Sequence, residues 1–157
     1  MERFPSEILT KIYKYCAYQD RCYQEVIRKL RELELPEEDE EAMIEHLEAE
    51  RFLDQQRFAH SFARGKFTIK RWGKHKIRHA LRQKGLKPLE IEAAIAGEIS
   101  DEAYYQSMHY LVEQKIRQYQ GLTILERNQK IGRFLTQKGY EGNLFWEVIR
   151  SYDPPKQ

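Results

Sequence analysis

Ile77-Arg78-His79-Ala80-Leu81-Arg82-Gln83-Lys84-Gly85-Leu86 is the stretch on which the fold turns. Its skeleton, Ile-x3-Leu-x4-Leu, returns as Val26-x3-Leu30-x4-Leu35 and as Ile131-x3-Leu135-x4-Tyr140, at offsets of 51 and 54 residues. An i, i+4 apolar pair followed by Lys-Gly describes a helix with one buried stripe and a glycine C-cap. The offsets also align Ile44, Ile95 and Ile149 in the helix that follows, and Asp54 and Asp101 each open the first helix of a unit. Lys84-Gly85-Leu86 recurs as Lys138-Gly139-Tyr140, while the first copy has Glu34-Leu35 without the glycine. A period near 50 residues is the mark of stacked helical repeats.

Outward from this core the apolar spacing is helical throughout, and no period-2 strand pattern is found. Ile8, Leu9, Ile12, Tyr13 and Cys16 form the first stripe, behind a Pro5-Ser6 start signal. Asp20 is placed to cap a second helix and Asp54 a fourth. Pro36 precedes a third helix whose acidic first turn suits the positive end of the helix dipole. Gly65 lies near the end of the fourth helix, or frays it. Pro88 sits at the N1 position of a sixth. Ser100 or Asp101 starts a seventh, which Gly121 ends. The expectation is an all-α chain of nine helices in three tandem three-helix repeats, near 6–51, 52–98 and 99–152, with a tail at 153–157. Repeats stacked in this way form an elongated, curved array with a long surface suited to a large partner.

Composition agrees. Five prolines and eight glycines in 157 residues exclude collagenous and low-complexity classes. The longest strictly apolar run, Ala93 to Ala96, is far short of the roughly 20 residues a membrane span needs. Met1-Glu2-Arg3-Phe4-Pro5 has no apolar leader, so a soluble, cytoplasmic protein with no membrane contact is expected, and a monomer is expected because stacked repeats with capped ends need no partner to fold.

The net charge of +2 conceals two blocks. Between Glu32 and Glu50 there are ten acids and no Lys or Arg; between Arg64 and Lys87 there are ten bases and no acid. The acidic block is read as a solvated helix face. The basic block carries Phe67 and Trp72 and describes a surface that meets something anionic.

No arrangement of residues is spaced for catalysis. Gly65-Lys66 and Gly73-Lys74 lack the other glycines and the Ser/Thr of a phosphate loop. His75 and His79 share a helix face, but Lys76 stands where a zinc protease needs Glu, and the surrounding bases would repel a dication. Surface histidines are the plain reading. Cys16 and Cys22 form no Cys-x-x-Cys pair and are read as small buried hydrophobes. The tyrosines fall mostly on apolar stripes, with hydroxyls at the rim. Trp72 is either an interface anchor or a packing residue at the start of the fifth helix. No enzyme, cofactor or metal is expected.

The middle unit resembles the RecX family of bacterial regulators of the RecA recombinase. The residues that carry the likeness are Phe52-Leu53-Asp54-Gln55-Gln56-Arg57-Phe58-Ala59-His60-Ser61-Phe62-Ala63-Arg64, then Lys70-Arg71-Trp72-Gly73, then Ile77 to Leu86. The resemblance implies a binding regulator that engages the RecA–single-stranded DNA filament and restrains its ATPase, strand-exchange and coprotease activities. It also implies a place in DNA repair, homologous recombination and the SOS response. The contact surface is expected at Arg64, Lys66, Lys70, Arg71, Trp72, Lys74, Lys76, Arg78, Arg82 and Lys84, meeting acidic protein or the phosphates of filament-bound DNA. The alternative is a helical nucleic-acid-binding protein that acts without RecA, with Phe67 and Trp72 as stacking platforms for bases.

Overall fold

The computed structural model describes residues 3–155; Met1 and Glu2 of the amino-terminal pentapeptide, and Lys156 and Gln157 of the tail, lie outside the described residues. Among the described residues the chain is all-helical, without strands. The helices run α1 (Ser6–Tyr18), α2 (Tyr23–Glu32), α3 (Glu40–Ala49), α4 (Gln55–Thr68), α5 (Lys74–Gln83), α6 (Pro88–Glu98), α7 (Asp101–Gln118), α8 (Ile124–Lys138) and α9 (Gly142–Arg150). A 3-10 turn, Glu37–Asp39, leads into α3. Among the described residues no helix is long and apolar enough to cross a membrane.

The repeated Ile-x3-Leu-x4-Leu skeleton produces one C-cap three times. Leu35 N–H bonds Leu30 C=O at 3.0 Å, Leu86 bonds Leu81 at 3.2 Å and Tyr140 bonds Leu135 at 3.0 Å. Each reaches back five residues across a residue with positive φ: Glu34 (65°), Gly85 (85°) and Gly139 (98°). This bond satisfies carbonyls that the helix end leaves unpaired, and it tucks the buried Leu or Tyr beneath the last turn.

At the helix starts, Asp54 Oδ1 accepts from Arg57 N–H at 2.9 Å, and Ser100 Oγ from Ala103 N–H at 3.1 Å, as expected of caps. Thr123 caps α8 in the same way, through Glu126 N–H at 3.2 Å. Asp20 does not cap α2. Residues 19–22 stay outside the helix, which puts Cys22 at the cap position, and Cys22 N–H donates to Glu25 Oε1 at 3.1 Å. Asp20 instead accepts from Arg57 Nε and from Ser61 Oγ, both at 2.6 Å. Gly65 sits inside α4 and does not break it. The acidic block is not wholly solvated either, because Glu40 is 6% exposed and accepts from Arg31 Nε at 3.0 Å.

The chain groups into two compact units. One runs to Phe62 and takes in Leu81–Ala94; the other comprises Ala63–Ala80 and everything from Ile95. The helices α4, α5 and α6 contribute residues to both. In the first unit Ile12, Val26, Leu30, Met43 and Leu47 form a fully buried core. In the second, Tyr104, Met108, Ile131, Leu135 and Ile149 are fully buried.

In each unit the start of one helix meets the end of another. In the first, the start of α2 meets the end of α5: a Cβ on Gly85 would stand 2.7 Å from Gln24 Nε2, and Glu25 pairs with Lys84 at 3.8 Å. In the second, the start of α5 meets the end of α8. Gly73 N–H donates to Lys138 C=O at 2.7 Å and His75 N–H to Gly139 C=O at 3.0 Å. In the second joint the unpaired donors of one helix start thus meet the unpaired acceptors of another helix end, each bond contributing about 1 kcal/mol net, whereas at the start of α2 Cys22 and Tyr23 N–H donate to the side chains of Glu25 and Gln55.

Candidate functional site

The α4–α5 turn, residues 69–73, lies in the middle of the basic block, and the end of α8 fixes its shape. Tyr140 Oη donates to Arg71 C=O at 2.9 Å, and Ser107 Oγ in turn bonds Tyr140 Oη at 2.8 Å. Lys138 Nζ donates to Lys70 C=O at 2.8 Å. Lys74 N–H donates to Tyr104 Oη at 2.9 Å, and Tyr104 Oη in turn donates to Glu141 Oε1. The rings of Tyr104 and Tyr140 stack with centroids 5.1 Å apart. Burial pushes the Tyr140 phenol up to about 12 and raises Tyr104 further, with Glu141 adding to the latter. Both phenols therefore stay protonated and donate. Arg71 holds φ at 55°, in the left-handed region that bulky residues avoid. The Lys138 ammonium and the buried Tyr140 hydroxyl, donating to the Lys70 and Arg71 carbonyls, keep the turn in that conformation.

The cations of the turn lie against rings. Lys66 Nζ and Lys76 Nζ lie 4.9 and 4.7 Å from the Trp72 ring, and the Arg71 guanidinium lies 3.7 Å from Tyr110. Beside Arg71, a groove of about 400 Å³ is lined by Phe67, Thr68, Gln106, Ser107 and Tyr110. Contacts of this kind contribute about 0.5–1 kcal/mol at exposed sites and restrict where the charge can go. Lys138 is held below the ordinary lysine value, first by burial and then by the positive charges of Lys76, Lys70, Lys115 and Arg71.

Of the ten residues expected at a contact surface, this unit holds Arg64, Lys66, Lys70, Arg71, Trp72, Lys74, Lys76 and Arg78. Lys70 is exposed; Arg71, Trp72, Lys74, Lys76 and Arg78 are half-buried. Arg64 pairs with Glu98 at 3.1 Å and Lys74 lies 4.0 Å from Asp101, so part of their charge is neutralised. Arg82 and Lys84 belong to the other unit, where Lys84 is engaged with Glu25 and lies 5.9 and 5.8 Å from the rings of Phe58 and Phe62. Phe67 is 8% exposed and serves the core, which removes it as a stacking platform. The residues that sequence reasoning passed over are Lys115, Phe134 and Lys138. In the sequence Lys138 is the base before a glycine cap, and its alignment with Lys84 is the signal that marks it.

Tandem three-helix domains with a cation-rich joint make this a helical-repeat protein without strands among its described residues. Residues 54–95 match the second three-helix domain of RecX and residues 101–149 the third, so the chain belongs to the RecX family. It is 27% identical over 147 residues to the regulatory protein RecX of Limosilactobacillus reuteri, covering 94% of this chain and 55% of that protein. To the regulatory protein RecX of Halalkalibacterium halodurans it is 30% identical over 135 residues, covering 86% and 50%. The chain thus spans about half the length of the curated relatives it matches. A solved regulatory protein RecX superposes with a TM-score of 0.82 at 27% identity, over 93% of this chain and 72% of that one. RecX from Lactobacillus salivarius shares the fold, with a TM-score of 0.82 at 23% identity over 94% and 97%.

Proposed function

We propose that this chain regulates the RecA recombinase by binding its filament on single-stranded DNA, mainly inhibiting ATP hydrolysis, strand exchange and coprotease activity. The observation that carries the reading is the cationic segment of residues 66–76, whose turn at 69–73 is held by Lys138 and Tyr140, within the segment that most resembles the family. A rigid array of lysines, with part of its side-chain entropy already lost, meets an anionic surface at lower cost than mobile lysines would. Successive repeats, taken as 6–51, 52–98 and 99–152, add weak contacts through effective concentration on a partner that is itself a repeating polymer. In this reading the chain acts in the cytoplasm, as a monomer, and performs no covalent chemistry.

The test is ATP hydrolysis by RecA on single-stranded DNA with this protein titrated in. Inhibition well below one copy per RecA subunit is the expected result. Unchanged hydrolysis at saturating protein, with oligonucleotide binding intact, would move the assignment to a nucleic-acid-binding protein that acts without RecA.

A further inference from the structure

The two joints treat charge in opposite ways. In the first, Glu25 and Lys84 pair at 3.8 Å. The 51- and 54-residue offsets that align the repeats carry Glu25 onto Lys76 and Lys84 onto Lys138. In the second joint, then, the lysine before the glycine cap faces another lysine where its counterpart faces a carboxylate. Lys138 Nζ is held in place by its bond to Lys70 C=O, and the charges acting on it, from Lys76, Lys70, Lys115 and Arg71, are all positive. Ion pairs of this unit include Arg64–Glu98, Lys74–Asp101, Arg117–Glu113 and Arg127–Asp153.

Aromatic rings hold these cations in position. Lys115 Nζ and Lys138 Nζ lie 4.1 and 5.9 Å from the centroid of Phe134, and Lys76 Nζ lies 4.7 Å from Trp72. A base stacking on either ring would have to compete with an ammonium group already there. Gathering like charges costs free energy that an oxyanion bridging them returns, and ammonium groups are compact point charges suited to phosphate.

We propose that Lys70, Arg71, Lys76, Lys115 and Lys138 form a phosphate-binding site for the backbone of a single nucleic-acid strand, recognised without its bases. The inference deepens the proposed function and rests on it only for the source of the strand, the DNA inside the filament.

The test uses the full chain without RecA. Fluorescence anisotropy would compare a labelled oligothymidylate of about 15 nucleotides with an abasic strand of equal charge, across a salt series. The two are expected to bind within about threefold of each other, because the bases take no part. Lys115→Gln/Lys138→Gln should weaken both by tenfold or more and lower the slope of log K against log salt by about 1.4, at roughly 0.7 per phosphate contact on single strands. Lys115→Gln alone touches none of the backbone bonds of the joint, so it keeps the test valid if the double variant folds poorly; its slope should fall by about 0.7. An unchanged slope in folded Lys115→Gln, or abasic binding weaker by tenfold, would overturn the site. Tripolyphosphate is the third probe: saturable binding tighter than that of the oligonucleotide would overturn the strand assignment in favour of free polyphosphate. Because RecA is absent, a negative result here speaks to the phosphate site alone, whereas failure of the regulator reading shows in the ATPase assay with unaltered protein.

Discussion

A Cβ atom placed on Gly73 would stand 2.3 Å from the carbonyl carbon of Gly139. Two backbones 66 positions apart in the chain meet there with no room for a side chain between them, and the turn that carries Arg71 and Trp72 is aligned by that approach.

Glycine substitutions should therefore separate by place. Gly73→Ala overlaps backbone and should cost about 2 kcal/mol or more. Gly139→Ala overlaps Lys76 at 2.4 Å and also strains a φ of 98°, which adds about 1 kcal/mol. Gly65→Ala meets nothing within 4 Å inside α4 and should stabilise by about 0.5–1 kcal/mol. Urea denaturation of the three variants measures the order directly. Equal costs at 65 and 73 would contradict the close approach.

Glu34 makes the same left-handed C-cap as Gly85 and Gly139, with a φ of 65° and an exposed side chain. Glu34→Gly should raise stability by about 0.5–1 kcal/mol, the relieved strain exceeding the entropy that glycine adds to the unfolded chain. The readout is the thermal midpoint, which should move up by a few degrees. A lower midpoint would mean that the carboxylate contributes more than the backbone strain costs.

Lys76→Glu gives the second joint the acid that the first has at Glu25. The new Glu–Lys138 pair should leave stability unchanged or raise it by less than about 1 kcal/mol, since half-exposed pairs are weak. Inhibition of RecA should nevertheless fall by tenfold or more. A variant that is as stable as the parent and inhibits as well would separate this surface from the regulation.

At alkaline pH the tyrosines decide stability. Burial pushes Tyr140 up to about 12, and burial with Glu48 and Glu113 respectively does the same to Tyr23 and Tyr152. A phenol that ionises later in the folded chain than in the unfolded one contributes stability that is complete below pH 10 and lost as pH rises toward 12. Denaturation midpoints should fall across that window. Tyr140→Phe, which also removes the bonds to Arg71 and Ser107 at a cost of about 1–2 kcal/mol near neutrality, should flatten the fall.

Much of the architecture was open to inspection in one dimension. Apolar residues at helical spacing, Pro88 at a helix start, Ser100 and Asp54 as caps, and glycine after Lys84 and Lys138 all act over three to five residues, and the structure has them where local physics puts them. Asp20 shows where such reasoning stops. It has the chemistry of a cap, but Cys22 holds that place, and Asp20 binds Arg57 and Ser61 some 40 positions away.

The basic block shows the same division. Ten bases without an acid from Arg64 to Lys87 mark a cationic region from composition alone. Which of them act together depends on burial and on distant partners. Phe67 turns inward, Arg64 meets Glu98, Lys84 meets Glu25, and Lys138 arrives from 68 positions away to bond Lys70. The helices, most of their ends and the recurring Ile-x3-Leu-x4-Leu/Tyr cap were legible in one dimension, because those depend on side-chain periodicity and local backbone bonds. That one joint cancels its charge and the other accumulates it follows from packing alone, because charges far apart in the chain interact only once they are brought within a few ångströms.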